Sequence, residues 1–328
     1  MDGFVYVQTN DAEHNEVVVF GRQADGSLER LSGYLTGGKG SGAPHLPSQS
    51  SVVLAGERLF VTNAGSADVT VFAVDGAELQ VLDRVASGGP TPRSVAVHGD
   101  WVYVLNTGDE PSVARLGGSS VALPEGSDPA QVAFTPDGGT LLVTDRATDS
   151  IHAFVVEEVG ALGARVTHRS SGATPYGFDV TADGVLVVTE AAGAQVGKAS
   201  ASSYRLGAPA QLAPVSGAVA NTRSEVCWAV TTKDGRFVFV TNFGDGTIST
   251  YAIGADGSIE LREAVAATTV EGEPGVRDEA LSSDGQYLYA LHSDTGRVFG
   301  WKVGAEGSLA AIGSANGLPL TAAGLAAT

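Results

Sequence analysis

Apolar and polar residues alternate in short bursts along this chain and never settle into a helical period. Phe4-Val5-Tyr6-Val7, Val185-Leu186-Val187-Val188-Thr189 and Phe237-Val238-Phe239-Val240-Thr241 are examples. They are rich in the β-branched and aromatic residues that suit a pleated, half-buried surface. Turn signals bound the bursts. Asp137-Gly138, Asp183-Gly184, Asp234-Gly235 and Asp284-Gly285 separate a first run from a second, while Asp25-Gly26, Asp75-Gly76 and Asp256-Gly257 follow a third. Asp-Gly supplies the positive φ angles of a two-residue hairpin, so the pattern predicts four-stranded antiparallel meanders.

The meander recurs. Its clearest copy runs from Val226 to Leu261, with others from Ala130 and Val276 and weaker ones near Gln49, Pro92 and Tyr176. The second strands are predicted to end at Asn10, Asn63, Asn106, Asp145, Glu190, Asn242 and His292. That spacing, roughly 40–50 residues, is the period of a propeller blade. Such a unit cannot cover both of its faces alone, and radial stacking covers them. The fold expected is all-β: a seven-bladed β-propeller in one domain over residues 1–328. The chain opens on a second strand, so Leu320–Ala326 is expected to return as the missing innermost strand, which removes an unpaired edge.

Charge narrows the partners. The net charge is −18, which repels phosphate backbones and anionic lipid and makes nucleic acid and membranes poor partners. Cys227 is the only cysteine, so neither an internal disulfide nor a cysteine-based zinc site is possible. No signal-like start and no bilayer-length apolar run is present, and the expectation is a cytoplasmic protein, monomeric or weakly homo-oligomeric.

In a meander, first-strand starts and second-strand ends share one face, the natural mouth for a ligand. The starts carry Gln49, Arg93, Gln131, Tyr176, Glu225, Cys227, Trp228, Arg277 and Asp278, and Pro44-His45 lies in a loop before the second blade. Two arginines there suit a carboxylate or phosphate, because the guanidinium fork matches those anions. They also suit simple neutralisation of Glu225 and Asp278. Asn10, Asn63, Asn106 and Asn242 read as turn caps. Asp145, Glu190 and His292 break that series. Cys227 reads as a small buried residue, and Trp228 as either a ligand wall or inter-blade packing. His14, His98, His152 and His168 read as solvated turn or outer-strand residues.

The whole chain resembles the lactonase-like propellers, the group that contains bacterial 6-phosphogluconolactonase and fungal 3-carboxymuconate cyclase. The resemblance rests on Phe134-Thr135-Pro136-Asp137-Gly138, Phe239-Val240-Thr241-Asn242, Gln49-Ser50-Ser51-Val52-Val53-Leu54 and the opening Gln8-Thr9-Asn10, together with blade order and the terminal seam. Glu190 resembles the glutamate of the family's strand-ending Asn-Glu-Leu phrase. Asp128-Pro129-Ala130-Gln131 stands where the cyclase type has Pro-His-x-His. The resemblance implies a lactonase or cycloisomerase of a small anionic substrate, without cofactor or metal. Glu190 or His45 is expected as base, Arg93 or Arg277 as oxyanion stabiliser, with Gln49, Gln131, Tyr176, Glu225, Trp228, Asp278, Asn242 and His292 in the substrate site. Two other readings stay open. One is a calcium-dependent gluconolactonase-type enzyme using Glu190, Asn242, Asn106 and Asp145; the other is a non-catalytic binding or scaffold propeller.

Overall fold

A computed structural model describes residues 1–44 and 46–328. Seven four-stranded antiparallel sheets make the protein a seven-bladed β-propeller. Among the described residues helical structure is limited to four three-residue 3₁₀ turns, and no helix is long and apolar enough to cross a membrane. The chain packs as two compact units, residues 1–125, 278–303 and 310–328 in one and 126–277 and 304–309 in the other.

In the first unit the two chain ends share a blade. Ala323–Ala327 pairs antiparallel with Gly3–Gln8, matching Val5 to Ala327, Tyr6 to Ala326 and Val7 to Leu325. The closing strand begins three residues later than the apolar pattern suggests. Leu320 and Thr321 lie in a turn, with the Ala322 N–H donating to the Pro319 carbonyl at 3.1 Å and the Thr321 hydroxyl to the Thr9 carbonyl at 2.7 Å. Likewise the opening strand stops at Gln8, because Asn10 is left-handed at φ 52°. Val5, Val7 and Phe20 bury completely against Tyr289, Leu291 and Val298. Full burial of such side chains stabilises by roughly 1.5–3 kcal/mol each.

The second unit holds three whole blades. Their innermost strands are Pro129–Phe134, Pro175–Val180 and Val226–Thr231; their second strands are Thr140–Asp145, Val185–Glu190 and Phe237–Asn242. The Asp-Gly connections are longer than two-residue hairpins. Five residues, Thr135 to Gly139, join the first pair, and of these Gly138 takes the positive φ, 71°. The aspartate is a lock: Asp137 Oδ1 accepts from the Thr135 hydroxyl at 2.6 Å and the Gly139 N–H at 3.0 Å. Thr181–Asp183, Thr232–Asp234 and Ser282–Asp284 repeat the hydroxyl-to-carboxylate bond.

Innermost strands are irregular near their starts. Register slips fall between Pro129 and Gln131, Pro175 and Phe178, and Val226 and Ala229, and between Pro92 and Ser94 in the other unit. A slip of this kind takes side chains out of the ladder's alternation and re-aims them. Arg93, Tyr176, Cys227 and Trp228 all lie within these slips.

Candidate active site

Tyr176 and Trp228 occupy the slipped starts of neighbouring innermost strands, and their rings meet at 4.8 Å between centroids, tilted by 44°. Threonines bolt both slips in place. The Thr189 hydroxyl reaches the Gly177 carbonyl at 2.9 Å and the Cys227 carbonyl at 2.6 Å, and the Trp228 N–H donates to the Thr241 hydroxyl at 3.2 Å. Thr144 similarly holds the Tyr176 carbonyl at 2.5 Å. These bonds replace ladder bonds that the slips interrupt.

A guanidinium covers the tyrosine. Arg146 donates to the phenol oxygen at 2.8 Å, lies 4.7 Å from the ring centroid and pairs with Asp128 Oδ1 at 2.6 Å. Burial pushes the Tyr176 phenol well above its ordinary pKa, with the negative side of Cys227 and Asp128 adding to that and the charges of Arg146 and Arg277 opposing it. Arg277, 7% exposed, sits 4.3 Å above the Phe243 ring. Arg146, Tyr176 and Trp228 are thus joined by direct contacts, and Arg277 lies in the same compact unit, stacked on Phe243.

The sequence profile of the family described as "Lactonase, 7-bladed beta-propeller" matches residues 4–116, 112–193 and 187–319. The chain belongs to that family. Structural relatives of this lactonase-family propeller share its fold at low identity. A "putative 6-phosphogluconolactonase" from Bacteroides fragilis is 16% identical with a TM-score of 0.76, covering 100% of this chain and 98% of its own. A periplasmic gluconolactonase from Pseudomonas aeruginosa is 19% identical with a TM-score of 0.76, covering 99% of each. A functionally unknown protein from Desulfotomaculum acetoxidans is 14% identical with a TM-score of 0.77, covering 100% and 99%. No curated protein matches the sequence.

Other residues that the sequence singled out hold the backbone, belong to the other unit or lie outside the described residues. Glu190 is fully buried and its oxygens accept from Ser170 at 3.1 Å, the Gly172 N–H at 2.7 Å, Ser200 at 2.6 Å and Ser202 at 2.6 Å. Residue 172 must be glycine, because a Cβ there would run into that carboxylate. The lone pairs of the carboxylate expected as a base are thus engaged by four donors inside the blade. Gln131 clips the next innermost strand, exchanging bonds with the Phe178 carbonyl at 3.0 Å and N–H at 2.7 Å. Asp278 accepts from the Gly324 N–H at 2.9 Å in the same manner. The Glu225 carbonyl accepts from the Cys227 thiol and the Phe243 N–H.

Asn242 donates to Thr247 and Ser249 within its own blade and accepts from Asn221 in the loop before that blade. His292 Nδ1 faces the Thr295 hydroxyl at 3.1 Å. Gln49 and Arg93 are half-buried in the other unit, and His45 lies outside the described residues. The candidate calcium ligands are likewise bound locally: Asn106 donates to the Ser87 carbonyl, and Asp145 accepts from the Asp128 N–H and from His152. Among the described residues no group of three or more His, Cys, Asp or Glu side chains is placed to hold a metal. His152 is not solvated as its outer-strand position suggests; it is 1% exposed and lies 3.3 Å from Asp145.

Sequence reasoning passed over Arg146 and Phe243. Each directly follows a second-strand end, Asp145 and Asn242. Alternation sends the residue after a strand-end cap to the opposite side from the cap, and that was the signal available.

Proposed function

We propose that this propeller hydrolyses, or in reverse closes, a small anionic lactone at the cluster of Arg146, Tyr176, Trp228 and Arg277. The observation that carries the reading is the Arg146 guanidinium bonded to the Tyr176 phenol, whose ring packs on the buried Trp228 indole, with Arg277 stacked on Phe243 in the same compact unit. Arg277 holds the substrate's carboxylate or phosphate. Tyr176, held from behind by Arg146, faces the lactone carbonyl, where attack by water builds negative charge on oxygen. Preorganised donors at that oxygen lower the barrier, and an activated ester needs little further help. Collapse of the tetrahedral intermediate breaks the ring C–O bond, and the departing alkoxide takes up the proton that the attacking water releases, giving the hydroxy acid. Membership of the lactonase family, and relatives named as 6-phosphogluconolactonase and gluconolactonase, support this reaction class.

The test is acid release in a pH-stat from 6-phosphoglucono-δ-lactone and from neutral glucono-δ-lactone. Faster hydrolysis of the phosphorylated lactone, unchanged after dialysis against EDTA, is expected. Buffer-level rates on both lactones refute the assignment.

A further inference from the structure

Buried donors in folded proteins almost always find an acceptor, and one that does not calls for a missing partner. Trp228 Nε1–H is such a donor: the residue is 1% exposed and the indole nitrogen has no hydrogen-bond partner among the described residues. The ring against it carries a second. Tyr176 accepts through its phenol oxygen from Arg146 at 2.8 Å, and among the described residues it donates to none. Arg146 occupies a lone pair of that oxygen, and so leaves the O–H hydrogen to point elsewhere. Two neutral donors thus sit on rings 4.8 Å apart, each without an acceptor among the described residues.

We infer that Tyr176 Oη–H and Trp228 Nε1–H form an oxygen clamp that takes one carboxylate or lactone carbonyl of the ligand. Asp128 and Arg146 act as positioning residues behind it. The chain Asp128 Oδ1, Arg146 Nη2 and Nη1, Tyr176 Oη fixes the phenol's orientation through bonds of 2.6 Å and 2.8 Å. The rings select for oxygen acceptors and against ligands that present only donors, since a donor there leaves two buried N–H and O–H groups unsatisfied. The inference deepens the proposed function by naming what binds at the rings, and it requires binding alone, not turnover.

The test follows the indole N–H resonances of ¹⁵N-labelled protein on titration with gluconate, 6-phosphogluconate and malonate. Trp101 and Trp301 are internal controls, and Trp228→Phe assigns the remaining signal. A saturable downfield movement of the Trp228 signal, with the other two fixed, is expected for at least one acid. Tyr176→Phe keeps the ring and should weaken that binding about tenfold, a single neutral donor's worth. Asp128→Asn should weaken it less and broaden the Trp228 signal. If all three acids leave the Trp228 signal in place, or if Tyr176→Phe binds as tightly as wild type, the clamp is wrong. Movement of the signal without hydrolysis of either lactone leaves the clamp standing and removes the proposed reaction.

Discussion

Arg146 grips Tyr176 twice, donating to its phenol oxygen at 2.8 Å while lying 4.7 Å from the ring centroid. One guanidinium thus fixes both the position and the hydrogen-bond sense of one phenol. Asp128, at 2.6 Å from the other terminal nitrogen, keeps the guanidinium in that pose. Asp128→Asn should therefore lower kcat/KM for an anionic lactone several-fold. Its melting temperature should scarcely change, because a pair this exposed on the aspartate side adds little stability. Steady-state kinetics and a thermal melt on the same preparation check both halves.

Glu190 leads to the opposite expectation. Four donors converge on its carboxylate from the segments around Ser170 and Ser200, so it ties a loop and an outer strand to the blade. Glu190→Gln removes the charge from those bonds and offers an amide where only acceptors fit. The variant should lose about 1.5–3 kcal/mol of stability in urea unfolding. Its residual folded fraction should turn over substrate at the wild-type rate. A stable variant with abolished turnover would restore the carboxylate as a base.

Asp145 makes stability depend on acid. Burial works to raise its pKa, yet hydrogen bonds from His152 and the Asp128 N–H hold it below the ordinary carboxylate range. A carboxyl whose pKa is lower in the folded state stabilises fully above its unfolded value, about 3.9, and loses that contribution as pH falls further. Wild type should therefore lose stability steeply below pH ~4. Asp145→Asn should be less stable at pH 7 and show a shallower acid limb. Urea midpoints measured across that range decide it.

The blades were legible because their signals are local. Asp-Gly pairs and the strand-end residues Asn63, Asn106, Asp145, Glu190, Asn242 and His292 each mark a boundary by their own backbone chemistry, and the structure ends those six strands there. The terminal seam followed from counting strands, though its start shifted because Thr321 bonds the Thr9 carbonyl. The site was harder to read. Polar residues at innermost-strand starts do two jobs that look alike in sequence: Gln131 and Asp278 clip a neighbouring backbone, while Tyr176 and Trp228 sit where the register slips. Residue type does not separate the two, and a slip leaves no residue signature. Arg146 went unread because its neighbour Asp145 drew attention to the wrong side of the strand.

The seam itself can be tested by truncation. Ending the chain after Gly317 deletes Ala323–Ala327 and exposes the ladder edge of Gly3–Gln8. An open edge flanked by apolar faces invites pairing between chains. The truncated protein should aggregate or unfold well below the wild-type melting temperature. A monomer with an unchanged melt by scattering and calorimetry would contradict the closure.

Arg277 is proposed to recognise the negative charge of a lactone substrate. The most direct measurement is the ratio of kcat/KM for 6-phosphoglucono-δ-lactone over glucono-δ-lactone, in wild type, Arg277→Lys and Arg277→Ala. Loss of a charge-assisted contact is worth about 1.5–3 kcal/mol, roughly one to two decades. Arg277→Ala should collapse the ratio by that factor through the phosphorylated substrate alone, with Arg277→Lys in between. An unchanged ratio in a folded Arg277→Ala protein would contradict the assignment.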